Sequence, residues 1–172
     1  RMNGERFAVM AGLGLDARVI RAATPELKSK FGRMAYVWAA TRNMRMDTFA
    51  ARIDVDGEEW YRGEASCILF GNVGRAFAGI ELFDDAHTDD GLLEVGVASA
   101  DGIAQWGRTF ARSAFGSIAK SPFVHMTKAR SVDVKLDRKV LYELDGGDRA
   151  KRKRFRVEAE PTAISVCLPR AA

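Results

Sequence analysis

Apolar and polar residues alternate along much of the chain, and the alternation predicts strands. Phe49, Ala51, Ile53 and Val55 fall on one side of residues 48–55. Asp56-Gly57 follows as a hairpin turn, because Gly tolerates the positive φ that such turns need. Val132, Val134 and Leu136 alternate up to Asp137-Arg138, which reads as a second turn, and Val140, Tyr142 and Leu144 alternate on the way back to Asp145-Gly146-Gly147. Two closing runs follow, Phe155, Val157 and Ala159, then, after Pro161, Ile164, Val166 and Leu168. Half-buried antiparallel strands have this period of two. Two stretches are spaced as helices instead. Thr24 suits an N-cap and Pro25 the first helical position, and Leu27, Phe31, Met34 and Trp38 then share one face of a helix running to about Asn43. Ile103, Trp106, Phe110 and Ala114 repeat the pattern after Asp101-Gly102. Both aromatic stripes read as core-facing surfaces. Many short strands with two inserted helices predict a mainly β fold, an antiparallel β-sandwich, rather than alternating βαβ units. No repeat, low-complexity tract or linker divides the chain, so residues 1–172 read as a single domain.

Composition narrows the class. The chain has 172 residues, 47% hydrophobic and 29% charged, enough to bury a core and incompatible with a disordered chain. No run approaches the roughly 18 apolar residues of a membrane-spanning helix, and the start lacks the apolar stretch of a signal peptide, so the expected location is cytoplasmic. The net charge of +4 and pI near 9.3 permit anionic partners without naming one. Cys67 and Cys167 sit in apolar runs, SCILF and SVCLP, and read as core thiols. Two such cysteines exclude a disulfide framework or a zinc module.

Several motifs invite a chemical reading. Gly12-Leu13-Gly14-Leu15-Asp16-Ala17 matches G-x-G-x-x-A of the dinucleotide fingerprint. The helix predicted from Thr24 leaves no room for the crossover, however, so the glycines read as a sharp turn presenting Asp16. Asp84-Asp85-Ala86-His87-Thr88-Asp89-Asp90-Gly91 gathers four carboxylates and an imidazole before a strand at 92–98. It is either an exposed acidic loop or a site for a hard, oxygen-liking cation. The nucleophile elbow G-x-S-x-G is absent, which argues against a Ser-His-Asp hydrolase. Leu144-Asp145-Gly146-Gly147-Asp148 is a strand end opening into a glycine turn, commonplace in hairpins. Six of the eight residues 149–156, RAKRKRFR, are basic. This run reads as a solvated strand face, as an attractor for anionic lipid head groups, or as one for nucleic-acid phosphates. No recognition helix or aromatic RNA motif accompanies it, so nucleic acid is not the expected partner.

In order, these motifs resemble the C-terminal domain of the diacylglycerol kinase catalytic family, which includes bacterial diacylglycerol kinases and sphingosine kinases. Residues 7–17 resemble the family's glycine-rich strand ending in Gly-Phe-Asp-Ala, with Leu15 for the Phe, and LKSKFGRMAY at 27–36 resembles its Leu-Lys…Gly…Ala-Tyr helix. Asn72, Gly79 and Asp89-Asp90-Gly91-Leu92-Leu93 resemble the stretch ending in Asp-Asp-Gly-Leu-Leu. Leu144-Asp145-Gly146 resembles Asp-Gly-Glu, and Pro161 with Leu168-Pro169 resembles the closing Pro…Leu-Pro. The resemblance implies a β-sandwich packed on an N-terminal ATP-binding domain similar to that of NAD kinase, which is absent from this chain. The implied reaction moves the γ-phosphoryl group of ATP to the hydroxyl of a lipid alcohol such as diacylglycerol. Asp145 maps to the general base, and Asp16 and Asn72 lie near the interdomain cleft. Asp90, with the main-chain oxygens of His87 and Leu92, maps to a Mg²⁺ site. The basic run then fits an anionic membrane surface, giving a cytoplasmic, peripherally membrane-associated enzyme, with a homodimer left open. Gly147 stands where the family has Glu, and the usual Asn of the first strand is missing, with Val9 and Met10 there. The alternative is a catalytically inactive lipid- or anion-binding module of the same fold.

Overall fold

The computed structural model describes residues 1–14, 48–76, 80–81, 83, 85–99, 123–165 and 167. Both predicted helices, and Asp16, lie outside the described residues. What is described is mainly β. The strands are β1 (Met10–Gly14), β2 (Phe49–Val55), β3 (Glu58–Ala65), β4 (Cys67–Gly71), β5 (Arg75–Ala76), β6 (Ile80–Glu81), β7 (Leu93–Ala98), β8 (Val124–Ala129), β9 (Ser131–Leu144) and β10 (Gly147–Glu158). Eight of them form one antiparallel sheet in the order β3-β2-β9-β1-β4-β7-β8, with β10 on the other edge of β9. The short β5 and β6 pair separately.

The 14-residue β9 is the spine. Its first half pairs with β2, Val134 opposite Ile53, and its second half with β1, Tyr142 opposite Leu13. β10 follows it along the whole opposite edge, with register shifts between Arg149 and Arg152 and between Arg152 and Arg154. Such irregularities bend a strand and increase its twist. The sheet curls there into a half-barrel around one core that includes Ile53, Ile68, Phe70, Val95, Tyr142 and Phe155. Tyr142 and Phe155 meet edge to face, with centroids 5.3 Å apart.

The predicted hairpin at Asp56-Gly57 forms, with both residues at positive φ. Asp56 also latches β9 from outside, since its Oδ1 accepts the Arg130 and Ser131 N–H groups at 3.0 and 2.7 Å. The turn predicted at Asp137-Arg138 does not form. Those residues lie mid-strand in β9, at the bend, where Asp137 Oδ1 accepts the Ala50 N–H and Arg138 donates to the Thr48 carbonyl. Of the last predicted strand, Val166 and Leu168 lie outside the described residues. Residues 163–165 and 167 are not in a strand, and Ile164 is 68% exposed. Of the two cysteines, Cys67 is buried as expected, but Cys167 is exposed.

Gly12 and Gly14 do not make a free turn; they belong to β1. Gly14 has φ +83°, and a Cβ there would stand 2.5 Å from the Ser66 carbonyl oxygen and 2.8 Å from the Phe49 ring. Only glycine fits that combination. On the outer face, Phe83 lies across Gly71 and Gly96, where the missing side chains leave room for its ring.

Candidate functional site

The register gathers most of the predicted site residues on one rim of the sheet. Met10 opens β1 opposite Gly71, which closes β4; Gly71 lies opposite Glu94 at the start of β7, and Glu94 opposite Lys128 near the end of β8. On the other side of β1, Ala11 faces Leu144, the last residue before the β9–β10 turn. Asp145, Asn72 and the loop carrying His87, Asp90 and Leu92 all emerge at this edge.

Asp145 sits at the hairpin tip with φ 48°, a left-handed conformation that Asp tolerates better than most residues. From there its carboxylate reaches the strand entering β1. Oδ1 accepts the Val9 and Met10 N–H groups at 2.8 and 2.9 Å, and Oδ2 accepts the Ala8 N–H at 2.7 Å. Its own N–H donates to the Met10 carbonyl at 2.8 Å. An ionised carboxylate offers about four lone-pair sites. Three are taken, so one remains, on Oδ2, at an exposed position. The tip is fixed from below by Glu143, fully buried, whose Oε2 accepts the Gly146 N–H at 2.6 Å.

Asn72 follows β4 and grips the same segment. Its N–H donates to the Val9 carbonyl at 3.0 Å, and its Nδ2 donates to the Ala8 carbonyl at 3.2 Å. Residues 8–10 are thus held by a carboxylate on their N–H groups and an amide on their carbonyls. This arrangement places an oriented, solvent-reachable acceptor on a rigid element, which is what removal of a proton from a hydroxyl requires.

The acidic loop starts beside Gly74, two residues after Asn72, since the Phe83 N–H donates to the Gly74 carbonyl. Asp90 Oδ1 accepts the Leu92 N–H at 2.8 Å. His87 Nε2 lies 3.3 Å from Asp85 Oδ1. Lys128, which sequence reasoning passed over, places its Nζ 3.1 Å from Asp85 Oδ2, 3.2 Å from Glu94 Oε1 and 3.8 Å from Asp90 Oδ2. The hydrogen bond and charge of Lys128 hold the Asp85 carboxyl below its ordinary range, and Asp85 in turn raises Lys128. Burial pushes the Glu94 carboxyl up, with Lys128 pulling it partly back. Among the described residues no three His, Cys, Asp or Glu side chains are grouped as metal ligands. A cation here would draw on Asp90 and main-chain oxygens, donors whose hardness suits Mg²⁺.

The basic run is a strand, and its charges are not equivalent. Arg149 donates to Glu5 Oε2 at 2.7 Å, Lys153 to the Asp137 carbonyl at 2.6 Å and Arg156 to Glu158 Oε1 at 2.9 Å. Lys151, Arg152 and Arg154 are exposed and form no ion pair among the described residues.

No sequence signal marks Lys128 or Glu143. Each occupies an ordinary position in a strand, and its role depends on a register that only the folded sheet displays.

Comparison with known proteins places the fold in a family. The family described as the YegS C-terminal NAD kinase beta sandwich-like domain matches residues 9–168. A Serratia proteamaculans protein named "Probable lipid kinase YegS-like" is 28% identical over 172 residues, covering 98% of this chain and 54% of the relative. A Staphylococcus saprophyticus diacylglycerol kinase is 30% identical over 148 residues, covering 85% of this chain and 48% of the relative. The crystal structure of a diacylglycerol kinase from Bacillus anthracis superposes with a TM-score of 0.65 at 22% identity, covering 91% of this chain and 50% of that one, and so shares the fold. The chain spans about half the length of the relatives it matches. It belongs to the YegS C-terminal NAD kinase beta sandwich-like domain family, whose members here are parts of proteins named as lipid and diacylglycerol kinases.

Proposed function

We propose that this domain is the substrate-side half of an ATP-dependent lipid kinase that phosphorylates the hydroxyl of a diacylglycerol-like alcohol. The observation that carries the reading is the Asp145 carboxylate, fixed by three backbone N–H groups with one acceptor site still open on Oδ2. ATP is bound mainly by an N-terminal domain outside this chain. The lipid hydroxyl donates its proton to Asp145 Oδ2 as its oxygen forms a bond to the γ-phosphorus, the bond to the β–γ bridging oxygen breaks, and ADP leaves. Phosphoryl transfer depends on such positioning more than on covalent chemistry by the protein. A carboxylate's contribution to such a step comes from orientation in a closed site. Asn72 keeps residues 8–10, and through them Asp145, in register. Asp16 is assigned to the same cleft. Asp90 with the carbonyls of His87 and Leu92 would hold Mg²⁺, which would supply positive charge at the loop. The enzyme is assigned to the cytoplasmic face of an anionic membrane, held there peripherally.

Turnover of mixed lipid micelles with labelled ATP by the full-length protein tests the assignment. Asp145→Asn is expected to lower kcat by about 10²–10⁴-fold, with KM for ATP little changed. Full turnover by the variant sinks it.

A second reading, a binding module without activity, is favoured by Gly147. Arg149 donates to its carbonyl at 3.1 Å, and a Cβ there would lie 3.0 Å from the guanidinium, so this position carries no carboxylate beside Asp145. That reading predicts lipid binding with no turnover by the wild type.

A further inference from the structure

Lys128 stands at the centre of a carboxylate cluster of which the proposed function uses only Asp90. The β7–β8 register sets it directly opposite Glu94. An ammonium has three N–H donors, and the loop offers three near acceptors, the main-chain oxygen of Asp85, Asp85 Oδ2 and Glu94 Oε1, with Asp90 Oδ2 a little further away. The surroundings are partly shielded: the side chains of Lys128, Asp90 and Glu94 are 29%, 26% and 12% exposed. Charges placed this way are screened less than those of an open surface pair. Asp85 is 79% exposed and reaches in from the rim, so without the ammonium the two shielded carboxylates, Asp90 and Glu94, would face each other with no positive charge between them.

We propose that Lys128 is the resident cation of the acidic loop, fixing Asp85, Asp90 and Glu94 so that the loop keeps its shape without a divalent ion. Three carboxylates against one ammonium leave the cluster negative. Mg²⁺ can therefore still be attracted, but it binds against a positive charge that shares Asp90 with it. Repulsion between a divalent ion and an ammonium a few ångströms apart weakens binding roughly tenfold or more at this degree of exposure. The competition presupposes the donor set proposed above; the counter-ion role does not.

The test uses the full-length protein without nucleotide, reading the melting temperature in EDTA and in MgCl₂ and the Mg²⁺ affinity by calorimetry. Wild type is expected to melt nearly alike in both. Lys128→Met is expected to melt lower in EDTA, to recover with MgCl₂ and to bind Mg²⁺ roughly tenfold more tightly, and Lys128→Arg to stay close to wild type. Adding Asp90→Asn to Lys128→Met should abolish the tighter binding. If Lys128→Met melts like wild type in EDTA, the proposal is overturned, as it is if wild type itself needs Mg²⁺ to reach its full melting temperature. A destabilised Lys128→Met that ignores Mg²⁺ upholds the counter-ion role and removes the Mg²⁺ assignment of Asp90, His87 and Leu92.

Discussion

At the residue scale, Asp145 carries two loads that substitution can separate. Its carboxylate accepts three N–H groups of residues 8–10, of which those of the exposed Ala8 and Val9 can turn to water while Met10 is buried, so Asp145→Ala is expected to cost about 1–2 kcal/mol, read by urea denaturation. Asp145→Asn keeps an oxygen acceptor and is expected to cost only about 1 kcal/mol, while losing the basic site. A variant that folds well and does not turn over therefore isolates the chemical role. Gly14 is the opposite kind of residue, structural throughout. With φ +83° and the Ser66 carbonyl where a Cβ would go, Gly14→Ala is expected to lose about 2–3 kcal/mol, again by denaturant titration.

At the scale of elements, β10 divides its charges between the fold and the surroundings. Arg149 and Arg156 are held by Glu5 and Glu158, whereas Lys151, Arg152 and Arg154 form no ion pair among the described residues. The triple change of Lys151, Arg152 and Arg154 to Ala is expected to reduce partitioning onto phosphatidylserine-containing vesicles by at least tenfold, at about 1 kcal/mol per basic residue near the surface. Changing Arg149 and Arg156 should cost stability rather than partitioning, and co-sedimentation alongside thermal melting distinguishes the two. How far these elements were legible follows from where their signals reside. The β2–β3 hairpin was readable because alternation and Asp56-Gly57 are both local. The β9 spine reads as two strands because Asp137-Arg138 looks like a turn locally, and only pairing to β2 along its first half and to β1 along its second carries one strand through the bend. Ile164 continued an alternating pattern yet is exposed, since periodicity records what could be buried and not what has a partner. Asp145 and Asn72 are picked out by the order of motifs, and the structure brings both to residues 8–10, but Lys128 and Glu143 owe their places to cross-strand neighbours distant in sequence.

At the scale of the molecule, the carboxylates set how stability responds to acid. Glu5, Glu59, Asp85, Glu158 and Glu160 are held below their ordinary range by hydrogen bonds and charges from Arg149, Arg62, Lys128, Arg1 and Arg6 respectively. Groups lowered in the folded state contribute fully above their unfolded pKa values, and the contribution is lost as pH falls through the folded ones. Glu94, raised by burial, has the opposite sign: its contribution is present in acid and fades as pH rises through its folded value. Five lowered groups outweigh one raised, so the melting temperature is expected to fall below about pH 4.5. Because Glu5, Glu59 and Asp85 are exposed and Glu158 and Glu160 partly so, 0.5 M salt should flatten that fall, and Glu158→Gln with Glu160→Gln should flatten it further. The pairing of β1 with β9 has a consequence in time. Hairpins β2–β3 and β9–β10 join neighbours in the chain and can close within microseconds, but Leu13 must find Tyr142 from the far end of the sequence. That search pays its loop-closure entropy before any contact repays it. Refolding is therefore expected on the slow side, milliseconds to seconds, with β1 docking last, and the site built on residues 8–10 and Asp145 is the last part of the domain to exist.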